Sequence, residues 1–300
     1  MGYLFLSLAL VAGAAKGFCG KKVSGFTKTF SDAAFINFIR MAFCILIGAV
    51  LVLAGGNVPF SGFDPYMLLI SALSGISTAV FVISWLVSVR SGAYVMLDVF
   101  LMLGVGVTVC CCRVFLGEEI RLNQIIGFII LVIAAYIMCS YDVSLNGKMS
   151  VSKILLLVLC GVANGLTDFS QKLFVYKVAG GSTAEFNFYT YIFAAVALLA
   201  VYVFLKLRAK KEAYEPTEKL SFKKVLPFVG IMSVCLFLNS YFKTLAAARL
   251  DSMILYPLNQ GVALILSLVM AAVFFKEKIT VRCFVGICLA FVALLIINLL

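Results

Sequence analysis

The sequence predicts an all-α polytopic membrane protein whose ten transmembrane helices form two inverted five-helix repeats. Three observations carry that expectation. The 300-residue chain is 64% hydrophobic and only 12% charged, whereas soluble domains carry about 25% charged residues. Its apolar residues gather in ten runs of bilayer length. One phrase also occurs twice: FLGEEIRLNQIIG at 115–127 and FFKEKITVRCFVG at 274–286 share a Phe, a Glu, and an Ile and a Gly at fixed distances after the Glu.

A helix crosses a hydrocarbon core about 30 Å thick with roughly 20 apolar residues, each rising about 1.5 Å. The first run covers 2–20, lacks the basic start of a secretory leader and flows into the next element, so no cleaved signal is expected. Runs at 33–54, 66–89, 92–114 and 122–141 follow, and the linker after them is short. The sixth, 152–174, shares with the first an interior broken by polar residues. Runs at 185–205, 224–246, 250–274 and 279–299 complete the set. None alternates polar and apolar residues as a membrane β-strand does. Asn123 and Thr280, each just past a corner phrase's Glu, are the expected N-caps of the fifth and tenth helices.

The two corner phrases lie 159 positions apart, and the offset extends backwards without a gap to align Arg90 with Arg249. Further upstream the offset becomes 150: AFINFIRMAF (34–43) meets AEFNFYTYIF (184–193), Asn37 meets Asn187, and Lys22 meets Lys172. The difference is the extra length of the basic linker KLRAKKEAYEPTEKLSFKK at 206–224. The chain therefore divides into halves at 1–145 and 150–300. Five spans per half is odd, so the second half enters the membrane from the opposite face, an architecture typical of secondary transporters.

A net charge of +11 has a topological reading here. Seven of the 24 Lys and Arg residues sit in the 206–224 linker, and most of the others punctuate helix ends. Loops after odd-numbered spans hold sixteen, those after even-numbered spans five. The positive-inside rule then places both termini outside and points to the plasma (inner) membrane, with anionic headgroups attracted to the basic face. No basic face interleaved with aromatics points to nucleic acid. The ten cysteines lie mostly within apolar runs and form no CxxC pair, so they read as reduced hydrophobes. With no histidine present, Ser–His hydrolases and HExxH zinc sites are excluded, and neither metal nor cofactor is expected.

Ten spans, two five-helix halves and the E-x-I/L-T…G corner resemble the EamA-type members of the drug/metabolite transporter superfamily. The first span of each family half reads like WG…N…K. NGLTDFSQK (164–172) keeps the Gly and the Lys, with Asn164 at the Trp position, and AAKGFCGKK (14–22) keeps the closing Lys22. The Pro frequent in the fourth span of a half is matched by Pro257, whereas the first half has Asp98 there. The resemblance implies transport of small molecules. It also implies termini inside, against the charge count, which we follow.

Polar groups within spans are costly in hydrocarbon and mark cavities or partner helices. Asp98, about two turns into the fourth span, is the expected cation- or proton-accepting carboxylate of a substrate site, against pairing with Lys16, Arg40 or Lys243. Asn164, Asp168, Gln171 and Lys172 form one stripe on the sixth span, with Asn164 and Asp168 expected to line the site. Asn239 and Lys243 share a face of the eighth span, and Asn259 and Gln260 follow Pro257 in the ninth. All four are candidate substrate contacts. Trp85 reads equally as a substrate-stacking ring or an interfacial anchor. Asn37 and Asn187 are read as packing residues, and G161-VAN-G165 and G13-AAK-G17 as sites of close helix approach.

The function expected is a secondary active transporter that moves a small organic metabolite or drug by alternating access. Asp98 favours an amine-bearing or amino-acid-like substrate, whereas Lys16, Arg40 and Lys243 favour an anion. No Walker A sequence is present, so H+, Na+ or the substrate's own gradient would supply the energy. Homodimer formation is compatible with this reading. The alternatives are a membrane-embedded enzyme, which would need clustered acids or a nucleophile with its base, and a passive pore.

Overall fold

The computed structural model describes residues 1–56, 64–90, 94–146, 151–178, 180–211, 222–274 and 281–299. Ten helices account for nearly all of them: α1 (Gly2–Ser24), α2 (Phe30–Ala54), α3 (Pro65–Arg90), α4 (Tyr94–Leu116), α5 (Leu122–Asn146), α6 (Val151–Lys177), α7 (Thr183–Lys211), α8 (Phe222–Ala247), α9 (Ser252–Val273) and α10 (Val281–Leu299). Among the described residues there is no strand. Each apolar run corresponds to one helix, and most helices reach past their runs at one or both ends, whereas α9 and α10 fall within theirs. Six helices (α1, α2, α3, α6, α7 and α8) are long and apolar enough to cross a membrane by length and composition. The other four carry shorter described apolar stretches, such as Phe100–Leu116 and Ser252–Ser267.

Local chemistry sets the helix ends. Thr29 caps α2 through a capping box, in which its hydroxyl accepts from the Asp32 N–H at 3.0 Å and the Asp32 carboxylate accepts from the Thr29 N–H at 2.9 Å. The corner between α4 and α5 turns at Gly117, whose φ of 71° only glycine adopts without strain. Asn123 is not the cap of α5. It lies inside the helix and donates to the Ile296 carbonyl at 3.3 Å. Gln124 does the capping instead, its amide oxygen accepting from the Arg121 N–H at 2.8 Å. Thr280, and the second corner phrase from 275 to 280, lie outside the described residues.

Helices pack chiefly across the chain rather than along it. The main pairings are α1 with α8, α2 with α7, α3 with α6 and α7, α4 with α6 and α9, and α5 with α10. Contacts at the helix ends fix directions. At one end of the bundle, a Cβ on Gly2 at the start of α1 would meet Leu250, just after α8. Lys172 of α6 donates there to the Ala247 and Leu250 carbonyls at 3.1 and 2.8 Å and pairs with Glu118 of the α4–α5 corner at 3.4 Å. At the other end, Arg90 of α3 donates to the Lys28 carbonyl between α1 and α2, and the Phe18 and Phe274 rings meet at 5.4 Å.

Glycine allows the closest of these approaches. A Cβ on Gly104 would lie 2.2 Å from the Gly161 carbonyl oxygen, one on Gly161 2.5 Å from that of Phe100, and one on Gly165 2.3 Å from that of Gly104. The backbones of α4 and α6 thus touch, and Thr108 donates across the contact to the Gly165 carbonyl at 2.9 Å. The mirrored pair in α1 behaves differently. Gly13 faces the Asn239 amide, 3.1 Å from where its Cβ would be, and Gly17 borders a cavity.

The outer surface is apolar, with Leu46, Val50, Leu69 and Phe284 all more than 60% exposed, as lipid-facing residues are. The interior is polar for a membrane bundle. Asn37 and Asn187 are fully buried, and each donates to the carbonyl four residues back, Ala33 and Thr183, at 2.9 Å. Their oxygens accept from Arg40 Nη1 and Ser240 Oγ respectively, both at 2.7 Å.

Candidate functional site

A cavity of about 80 Å³ lies among α1, α3, α4, α6, α8 and α9, the helices with most of the buried polar residues. Its polar wall consists of Lys16, Asn164, Asn239, Lys243, Asn259, Gln260 and Ser267. Its apolar wall includes Phe81, Trp85, Leu101 and Met270. Such a volume holds several waters, and a concave site with a few convergent polar groups is the usual form of a small-molecule site.

Six of the eight residues singled out from the sequence border this cavity: Trp85, Asn164, Asn239, Lys243, Asn259 and Gln260. Asp168 does not. It is almost wholly buried behind the wall, where its carboxylate accepts from the Lys243 ammonium. The stripe read on α6 therefore splits by depth. Asn164 opens to the cavity, Asp168 holds Lys243, Gln171 donates to Ser240 at 3.1 Å, and Lys172 ties the helix end. Asp98 belongs to α4, and its side chain lies outside the described residues.

Each lining residue is positioned by its helix. Asn239 donates to the Ala9 carbonyl of α1 at 2.7 Å, in the space Gly13 leaves, so its remaining polarity faces the cavity. Lys243, one turn later, reaches the cavity while its ammonium is fixed to Asp168 of α6; the two side chains are 8% and 3% exposed. Tyr256 of α9 donates to the Asp168 backbone carbonyl at 2.7 Å and fixes α9 against α6. Asn259, buried in the same wall, has an amide oxygen with no hydrogen-bond partner. Pro257 lies two residues before it inside α9, where a ring nitrogen replaces an N–H donor and frees one carbonyl of the previous turn.

Trp85 is 8% exposed and packs its ring on Gly20, where a Cβ would come within 2.5 Å of it. It faces the protein interior and not an interfacial belt. The lining residues that the sequence reading left out of the site include Lys16, Phe81, Leu101, Ser267 and Met270. For Lys16 a signal existed, a cation in the middle of an apolar run. For the apolar ones there was none, because a cavity-facing Phe and a lipid-facing Phe read alike.

A polytopic helical bundle with a buried polar cavity, whose surface is apolar, defines the class: an integral membrane protein with a small polar cavity inside its bundle. The family follows from comparison. Residues 151–299 match the EamA-like transporter family, and the chain is an EamA-type protein of the drug/metabolite transporter superfamily. It is therefore a multi-pass membrane transporter. A solved structure described as "Crystal structure of protein" shares the fold at a TM-score of 0.72, with 12% sequence identity, covering 99% of this chain and 96% of that one. No curated protein matches the chain significantly.

Proposed function

We propose that the chain is a secondary active transporter that carries a small, amino-acid-like organic metabolite across the plasma membrane by alternating access, driven by H+ or Na+ or by the substrate's own gradient. Its two EamA-like repeats would be residues 1–145 and 150–300, the second inverted. The observation that carries this reading is the cavity itself. Amides and cations from α1, α6, α8 and α9 converge on it, so both halves of the chain build one site. The pairing of α1 with α8 and of α3 with α6 supports inversion, since these pairs exchange under the internal alignment. Carriers of this architecture bind substrate at the interface of the repeats.

Purified protein in vesicles provides the test. Saturable uptake of labelled amino acids is expected, and Asn259→Ala together with Gln260→Ala is expected to abolish it while the protein remains folded. Flux that rises linearly with concentration would show a pore instead. Turnover of a lipid or solute into a new compound would show an enzyme.

A further inference from the structure

A second, smaller void of about 10 Å³ adjoins the cavity and shares three of its walls, Lys16, Phe81 and Trp85. Its remaining walls are Val82 and Arg40. Arg40 is 2% exposed, among the largest fully buried side chains of the molecule. A guanidinium has five N–H donors and is always charged, and burying it without a counter-charge is strongly unfavourable. Yet among the described residues no carboxylate lies within ion-pair distance of it. Its ionisable neighbours are two thiols and a phenol, Cys44, Cys235 and Tyr191, none of them a carboxylate. Nη1 donates to Asn37 at 2.7 Å, and Nε has no partner.

The unmet donor is not a sign of a loose side chain. Asn37 is pinned by donating to two carbonyls, Ala33 at 2.9 Å on its own helix and Val82 at 3.1 Å on α3. That holds the Asn37 oxygen still, and the oxygen in turn holds the guanidinium against the wall. The arrangement is a preorganised, charged donor with spare capacity at the end of a passage walled by two aromatic rings. Lys16 stands at the mouth of that passage, its ammonium 5.9 Å from the Phe81 ring centroid.

We propose that this pocket is an anion subsite that takes the carboxylate of the transported solute, so that the substrates of this protein are small organic carboxylates. The carboxylate meets Arg40 and Lys16, the carbon body lies between Phe81 and Trp85, and any further polar group reaches Asn164, Asn259 and Gln260. A void of this size is at the limit for one water-sized atom, so it takes a single carboxylate oxygen beside Arg40 and leaves the rest of the group in the larger cavity. Charge favours the same end of the solute: Lys16, Arg40 and Lys243 outweigh Asp168, and still do so by one when Asp98 is counted. The inference rests on the transport reading for the word substrate, but the subsite can be tested without it.

The test uses the full-length protein in detergent and matched probes that differ only in the head group. Phenylacetate, phenylacetamide, phenethylamine and phenyl phosphate form one set; phenylalanine with its amide, and acetate with acetamide, extend it. Thermal unfolding against concentration gives the apparent Kd of each. The acids are expected to stabilise the protein and their amides are not. Arg40→Gln is expected to weaken acid binding about tenfold or more, as loss of a charged hydrogen bond does, with Arg40→Lys falling between. Should Arg40→Gln not fold, Lys16→Gln serves as the second variant, and the acid–amide contrast in the wild type stands by itself. Equal binding of acids and amides, preference for the amine or the phosphate, or unchanged acid affinity in a folded Arg40→Gln would each overturn the proposal. Vesicle flux separates the two readings. Acids that bind but are not carried would sink the transport function and leave the subsite; saturable flux of other solutes, with no acid bound, would do the reverse.

Discussion

Arg40 and Lys243 are both buried cations of one bundle, and their surroundings treat them differently. Lys243 has Asp168 as its partner, with both side chains under 10% exposed. Removing one member of such a pair leaves a bare charge in low dielectric and costs about 3–5 kcal/mol, while replacing both by apolar groups of similar size is often neutral. Asp168→Asn is therefore expected to lower the unfolding temperature sharply, and the double variant Asp168→Asn with Lys243→Met to recover most of it. Thermal unfolding in detergent reads this directly. A double variant no more stable than the single would show that the pair contributes nothing beyond its separate members. The sequence presents these residues 75 positions apart on different helices, so it marks both as costly groups without naming the partner. That is why Asp168 reads from sequence as a lining residue, whereas in the fold it stands behind one.

Elements were the most legible scale. Ten apolar runs correspond to ten helices, because span length is dictated by hydrocarbon thickness and the signal is summed over some twenty residues. Corners depend on single hydrogen bonds, and there the reading failed. Asn123 has the right residue type for a cap, but the helix starts before it and its amide turns to Ile296, and Gln124 takes the role. The close-packing glycines were legible in α6 and only half so in α1, since small-xxx-small spacing says that something approaches without saying what. The difference has consequences for substitution. Gly161→Ala would drive a methyl group against the Phe100 carbonyl, a backbone atom that cannot swing away, and is expected to cost about 1–3 kcal/mol as overpacking does. Gly230, in the interior of α8, has nothing within 4 Å of its Cβ direction. Gly230→Ala is expected to stabilise by about 0.5–1 kcal/mol through helix propensity. Unfolding curves of the two variants should move in opposite directions; if both fall, the approach of α4 to α6 is not the determinant.

At the scale of the whole molecule the sequence predicts two halves but not where they would meet. The cavity draws walls from six helices, and no linear pattern reports such a convergence. Charge does carry one global expectation: with sixteen basic residues in one set of loops and five in the other, the positive-inside rule predicts that both termini face outward. A C-terminal tag is thus expected to be accessible to antibody on intact cells, and accessibility only after lysis would reverse the orientation. In that frame the Lys172 cluster lies at the outer end of the bundle. There Lys172 joins α6 to the Ala247 and Leu250 carbonyls and to Glu118 of the first corner phrase. If the carrier alternates, these ties must part whenever the outer end opens. Glu118→Cys with Lys172→Cys, oxidised or bridged by a short thiol cross-linker, is then expected to stop saturable flux and to restore it on reduction, with the single variants unaffected by the reagent. The eight described native cysteines are free, so a Cys-depleted background is the proper starting point. Undiminished flux through the bridged protein would mean that solute passes without the outer end ever opening there, which alternating access between α4, α6 and α8 does not allow.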